Sequence, residues 1–188
     1  MKLLHLDSSI LGDNSASRAL SAAIVARWRG DMPGLEVLHR DLAGEHALPH
    51  LDGASLAKVD PTEAARSARA LEDFLAADVI VLGAPMYNFG IPSQLKAWID
   101  AVARAGVTFR YTENGPEGLL KNKKVYVAAA RGGVYPVDAD PQVPHIRTLL
   151  NFLGLADHAF IYSAAQAMGP EAAAKGQAEA DAAVAALA

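Results

Sequence analysis

Val79-Ile80-Val81-Leu82-Gly83-Ala84-Pro85-Met86-Tyr87-Asn88-Phe89-Gly90-Ile91-Pro92-Ser93-Gln94-Leu95-Lys96-Ala97-Trp98-Ile99-Asp100 reads as a buried strand, a stiff loop and the opening of a helix. Val79 to Gly83 carries no polar side chain, as expected of a strand covered on both faces. Pro85 and Pro92 fix φ at either end of the loop. Between them Met86, Tyr87 and Phe89 can pave one face of a flat ring, and Asn88 and the loop amides can read its polar edge. A few apolar contacts with convergent polar groups describe most ligand pockets. The same residues would also make an ordinary strand-to-helix loop with apolar anchors.

Working outward, short apolar runs alternate with helical periodicity. Leu3 to Asp7 predicts a first strand, and Ser17 to Arg29 a helix with Leu20, Ile24 and Trp28 four residues apart. Leu35 to Asp41 alternates as a second strand does. Pro61 to Ala76 reads as a helix capped by Asp60. Pro92 to Ala105 continues the opening segment as a helix. Lys124 to Ala130 is a fourth strand, and Pro144 to Leu153 a helix stopped by Gly154. Ala159 to Tyr162 is a fifth strand, and Pro170 to Leu187 an alanine-rich last helix. Strands alternating with helices imply parallel βαβ units and a doubly wound α/β sheet, expected as one domain over residues 1–188. Two long connections interrupt the pattern, Leu42 to Asp60 and Phe109 to Asn122, the second carrying the turn signal Asn114-Gly115-Pro116.

Three loops can carry chemistry, each following a predicted strand. Ser8-Ser9-Ile10-Leu11-Gly12-Asp13-Asn14-Ser15-Ala16-Ser17-Arg18 leads into the first helix. Helix-start amides with the hydroxyls of Ser9, Ser15 and Ser17 suit a phosphate. Ser15 or Ser17 as a simple N-cap explains the same residues without a ligand. No GxGxxG and no Gly-Lys-Ser/Thr occurs, which points away from dinucleotide and triphosphate folds. The second loop is Pro85 to Phe89. The third, Ala130-Arg131-Gly132-Gly133, lets backbone approach a ligand closely, or forms a tight turn.

These segments resemble the FMN-dependent NADH-azoreductases, of the flavodoxin-like quinone reductases. The likeness runs from Ala84 to Asp100, through Ala103-Arg104-Ala105-Gly106-Val107-Thr108-Phe109-Arg110-Tyr111-Thr112-Glu113-Asn114-Gly115-Pro116-Glu117-Gly118-Leu119, and returns at Arg131-Gly132-Gly133, Ser8-Ser9 and Ser15 to Arg18. It covers essentially the whole chain. The resemblance implies a five-stranded flavodoxin-like sheet in the order 2-1-3-4-5, with the three loops meeting at its switch point. It implies non-covalent FMN held by Ser9, Ser15, Ala16, Ser17, Pro85, Met86, Tyr87, Asn88, Phe89, Ala130, Arg131, Gly132 and Gly133. Serine is usual in the family where Ala130 stands, so one hydroxyl contact is missing while the backbone donors stay. It also implies two-electron, ping-pong hydride transfer through flavin N5 from NADH or NADPH to quinones and azo compounds, with no catalytic side chain. Tyr111 and Phe152 would reach the substrate pocket from the partner subunit of a homodimer.

The remaining sequence narrows the alternatives. A formal net charge of −4 over 188 residues offers no basic footprint for nucleic acid or an anionic membrane. Cysteine is absent, which excludes disulfides and thiolate chemistry. No apolar run approaches a membrane span and no signal peptide opens the chain, so a cytoplasmic protein is expected. His46 and His50 lie four apart in a glycine- and proline-bearing loop, a poor metal pair, and no metal is expected. No Gly-x-Ser-x-Gly elbow suggests a nucleophilic serine. The rival readings are a flavodoxin-like electron carrier and a flavin-free scaffold. On Pro92 to Ala105 the apolar stripe Leu95, Trp98, Ile99 and Val102 must be buried, either by the sheet alone or with part of it left to a second subunit.

Overall fold

The computed structural model describes residues 1–136 and 139–187. Five parallel strands, β1 (Lys2–Asp7), β2 (Glu36–Asp41), β3 (Val79–Pro85), β6 (Lys124–Ala130) and β7 (His158–Ser163), form one sheet in the order β2-β1-β3-β6-β7. Counted by the sheet's own strands, this is the expected 2-1-3-4-5. Two further strands, β4 (Phe109–Thr112) and β5 (Gly115–Gly118), pair antiparallel as a separate hairpin.

Helices cover both faces. α1 (Ala16–Asp31) and α6 (Pro170–Ala185) lie on one side, where Leu20, Ile24, Ala180 and Val184 pack on Leu3, Val81 and Tyr126. α3 (Pro61–Ala76), α4 (Ser93–Val102) and α5 (Val143–Leu153) lie on the other, burying Phe74, Trp98 and Leu150 against Leu4, Leu82 and Val127. Successive residues of a strand alternate between these two cores, as a period of two requires. Every residue of β3 is buried, in keeping with its central place and its unbroken apolar run. A short helix, α2 (Gly53–Leu56), occupies the first long connection.

α4 decides between the two coverings of its apolar stripe. Leu95, Trp98, Ile99 and Val102 are all buried within the chain, between 0% and 8% exposed. The sheet and α3 cover the whole stripe, with Phe74 edge-on to Trp98 at 5.0 Å. That stripe is therefore no leftover face for a second subunit. The helix is also shorter than its periodicity suggests. The Thr108 hydroxyl donates to the Val102 carbonyl at 2.8 Å and accepts from the Arg104 amide at 2.8 Å, which ends the helix by local capping.

The second long connection is the β4–β5 hairpin. It sits on the last turn of α5, where Leu120 N donates to Leu153 O at 3.0 Å. Gly118 and Gly154 meet there so closely that a Cβ on Gly118 would lie 2.0 Å from Gly154 N. Gly154 also takes φ +90 to close α5.

Candidate active site

The three loops do converge at the carboxyl ends of β1, β3 and β6. Their first link is Ser8, whose hydroxyl donates to the Gly83 carbonyl at 2.6 Å and clamps the end of β1 to β3. Tyr87 then crosses between loops. Its phenol oxygen lies 3.0 Å from Ser9 Oγ and accepts from Ile10 N at 3.3 Å. A residue expected only to pave a ring thus also braces the serine loop.

Ser15 is the N-cap of α1, its hydroxyl accepting from Arg18 N at 3.3 Å and lying 3.0 Å from Ser17 Oγ. The amides of Ala16 and Ser17 have no partner among the described residues. Two hydroxyls and open helix-start amides make an anion-binding donor set. The Arg18 side chain, the one cation in this loop, is not aimed at the cradle. Its guanidinium forks onto Asp41 at 2.8 and 2.9 Å and donates to the Ser9 carbonyl at 2.7 Å. The pairing raises the Arg18 pKa. Burial pushes the Asp41 carboxyl up, but its hydrogen bonds from Arg18 and Ala43 outweigh that and hold it below its ordinary value. Arg18 therefore positions the loop backbone, and the charge left for an anion comes from the helix start.

The second loop is strained. Asn88 and Phe89 both have positive φ, +48 and +68, between the mutual Tyr87–Gly90 backbone bonds of 3.0 Å. Two left-handed central residues mark a type I′ turn, which Asn accepts and Phe resists. The turn holds Phe89 out, 64% exposed, with its ring edge-on to Tyr135 at 6.3 Å. Strain kept in an exposed aromatic turn is characteristic of ligand clamps.

In the third loop the carbonyls of Arg131, Gly132 and Gly133 accept from Gln166, Ala167 and Ala165. The amides of Gly132 and Gly133 have no partner among the described residues. They are two open donors at the sheet's end. The Arg131 side chain points elsewhere. It is 4% exposed, paired with Asp140, and stacked 4.8 Å over the Tyr162 ring. Burial lowers its pKa. Ala130 is spoken for too, its carbonyl accepting from Met86 N at 2.8 Å.

Sequence reasoning missed Gln142. It is fully buried, donates to the Ala84 and Pro85 carbonyls at 3.3 and 3.1 Å, and accepts from Arg131 at 3.2 Å. Asp140 accepts from the Gln142 and Val143 amides and so caps α5. Arg131, Asp140 and Gln142 thus lock the second loop to the third. The signal in sequence was a polar residue just before a strongly apolar helix, which also suits a surface cap.

Tyr111 and Phe152 are not brought to these loops. Both gather on Phe109, whose ring lies 5.5 Å from Tyr111 and 4.4 Å from Phe152. This cluster sits at the end of α5, beside the start of β6, so it occupies the amino edge of the sheet. Tyr111 is 75% exposed there.

The chain matches the family described as having a flavodoxin-like fold over residues 1–187. It is 52% identical to the FMN-dependent NADH:quinone oxidoreductase of Stenotrophomonas maltophilia (strain K279a) over 172 residues, 91% of this chain and 88% of that protein. It is 55% identical to the protein of the same name from Ralstonia nicotianae over 187 residues, 92% and 89% of the two chains. Among solved structures, an azoreductase from Bacillus anthracis str. Sterne superposes with a TM-score of 0.81 at 29% identity, covering 98% of each chain.

Proposed function

The chain belongs to the flavodoxin-like fold family, and from that premise we propose that it is an FMN-dependent NADH:quinone oxidoreductase of the azoreductase kind. The carrying observation is the meeting of three loops at the ends of β1, β3 and β6, each with unspent donors or a strained aromatic turn. The donors fit FMN. Neutral hydroxyls and helix-start amides suit a monophosphate, and no lysine lies in the loop as a triphosphate site would want.

In this reading Ser9, Ser15, Ala16 and Ser17 hold the phosphate without covalent attachment. Pro85, Met86, Tyr87, Asn88 and Phe89 border the ring system, with Asn88 at its polar edge. Ala130 and Arg131 would border the cofactor with their backbone already engaged by Met86, Ser163 and Gln166, while the open amides of Gly132 and Gly133 would be the donors that could stabilise negative charge on the reduced ring. When bound, FMN supplies the hydride chemistry, taking two electrons from NADH or NADPH and giving them to a quinone or azo compound in a ping-pong cycle. No side chain of the protein acts as nucleophile or obligatory base. The exposed Ile10, Leu11, Phe89, Val134 and Met168 all follow strand ends on this edge, an apolar rim suited to flat acceptors and to a second subunit. The active unit is a homodimer in which Tyr111 and Phe152 of the opposite copy complete the pocket. Its compartment is the cytoplasm; among the described residues no helix is long and apolar enough to cross a membrane.

Anaerobic titration of the yellow protein with NADH and then NADPH tests the reading. Stoichiometric bleaching, followed by reoxidation with a quinone, is the expected result. A flavin that neither nucleotide bleaches would assign the chain to electron carriage. A protein that cannot take up FMN would remove flavin chemistry altogether.

A further inference from the structure

On the α1 face of the sheet, where β1 runs into the first loop, two imidazoles and a carboxylate stand together. The arrangement follows from strand geometry. His5 and Asp7 are two residues apart on β1 and so share a face. His39 is the in-register neighbour of His5 on β2 and shares it as well. Ring centroids of the two histidines are 4.6 Å apart. Nε2 of His39 lies 2.9 Å from Asp7 Oδ2, and Nε2 of His5 lies 3.4 Å from the same oxygen. One ligand atom from each of the three residues falls within 4.8 Å of the others.

Charge makes the cluster unusual. Asp7 is 4% exposed, yet no lysine or arginine pairs with it among the described residues. Its other neighbour is a hydroxyl, Ser21 Oγ, which donates to Oδ1 at 2.8 Å and lies 2.9 Å from His5 Nε2, a contact that a bound ion would replace. The adjacent carboxylate on β2, Asp41, is by contrast fully answered by Arg18. A buried carboxylate ordinarily takes a cation as partner. Gly83 leaves room for it, since a Cβ there would lie 2.7 Å from Asp7 Oδ1. The packing accommodates Asp7 while leaving its charge to the imidazoles.

We propose that His5, Asp7 and His39 form a binding site for a divalent cation of the zinc class. Ligands about 2.0–2.1 Å from a tetrahedral ion stand about 3.4 Å from one another. The His5–Asp7 separation already has that value, His39 would open from Asp7 by about half an ångström, and the ligand nitrogens of the two histidines lie within 4.8 Å of one another. Its side chain is 49% exposed on an edge strand, so it is free to do so and gives the ion an entry path. Two imidazoles and one carboxylate are a recurring three-ligand set for zinc that leaves a fourth position to water. Ser21 holds the second carboxylate oxygen and fixes the orientation of the first. The absence of cysteine leaves no thiolate to compete for the metal.

The test uses the full chain as purified, stripped with chelator and desalted, and titrated calorimetrically with Zn²⁺ alone. One ion per chain with micromolar or tighter affinity is expected. His39→Ala, a change at a half-exposed edge position, should weaken binding at least tenfold. His46→Ala, outside the cluster, should leave it unchanged. Asp7→Asn provides a second loss-of-ligand variant, and circular dichroism checks that each variant is folded. Co²⁺ in place of Zn²⁺ should give the intense visible bands of four-coordinate cobalt, lost in folded His39→Ala. Absence of stoichiometric binding by the wild type, or equal affinity in folded His39→Ala and wild type, would overturn the proposal. FMN content and NADH oxidation are not read in this experiment, so its outcome is separate from that of the flavin assignment.

Discussion

Asn88 and Phe89 show how much a single backbone angle can decide. Both occupy the left-handed region without being glycine, so the turn they build is held by its surroundings. Asn88→Gly should relieve that strain and leave the melting temperature equal or slightly higher, because glycine takes φ +48 freely. The same variant loses the side chain proposed for the flavin edge, so turnover with NADH should fall or the flavin potential should shift. Wild-type turnover and potential in Asn88→Gly would reduce Asn88 to a turn former. Gln142 carries the opposite balance. Its amide serves two buried carbonyls of β3 and one buried arginine, none of which can reach water once it is gone. Gln142→Ala should destabilise the flavin-free protein by about 2–4 kcal/mol, combining lost volume with orphaned polar groups. Urea unfolding reads this directly, and an unmoved midpoint would mean that the network relaxes at no cost.

At the scale of elements, the start of α1 has two tasks, capping a helix and offering donors. Replacing Ser15 and Ser17 together by alanine removes the cap, worth about 1 kcal/mol of stability. It should do more to the cofactor, since each donor to a charged phosphate is worth about 1.5–3 kcal/mol. With two donors lost, FMN retention should weaken about a hundredfold or more, and unchanged affinity by fluorescence titration would sink the phosphate assignment. The β4–β5 hairpin depends on one close contact. Gly118→Ala has no room for its methyl against Gly154 N at 2.0 Å, so the hairpin must lift from α5. We expect a loss of about 3 kcal/mol or more, with FMN binding affected less than stability because the hairpin lies at the far edge of the sheet. Here the sequence was partly readable. The Asn114-Gly115 signal falls at the hairpin, where Glu113 and Asn114 form the tip and Gly115 opens β5 at φ +103. What the hairpin rests on, the end of α5, lies more than thirty residues further on and leaves no local trace.

The whole molecule turns on whether one chain holds a complete site. The loops sit at the carboxyl edge of the sheet, and Tyr111 with Phe152 sits at the amino edge. A pocket using both needs two copies, and a twofold pair is the simplest closed arrangement. Sedimentation at micromolar concentration should give about twice the chain mass of 19.7 kDa. Subunit mixing gives a sharper result. Tyr111→Ala and the Ser15/Ser17 double variant should each lose activity, and a mixed dimer should regain one intact site. Equal mixing should restore about a quarter of wild-type activity, from half the dimers with one of two sites each. No recovery on mixing, or a fully active FMN-loaded monomer, would place the entire site within one chain.

Sequence alone was enough for the five strands of the main sheet and the long helices beside them, the central position of Val79 to Gly83 and the three loops that follow β1, β3 and β6, though not for α2 or the paired strands β4 and β5. These depend on local forces: apolar periodicity, capping residues and prolines act within a few positions of where they stand. Resemblance supplied the strand order, which no local signal encodes. Only the folded chain decided that α4 is covered by its own sheet and α3, that Arg18 and Arg131 serve carboxylates instead of a ligand, and that Gln142 ties two loops together. It alone brought His39 beside His5, thirty-four residues away, through the register of two parallel strands. Each of these is a contact between segments remote in sequence. Such contacts are set by the packing of many residues at once, and a buried polar group shows its partner only after the surrounding core has closed.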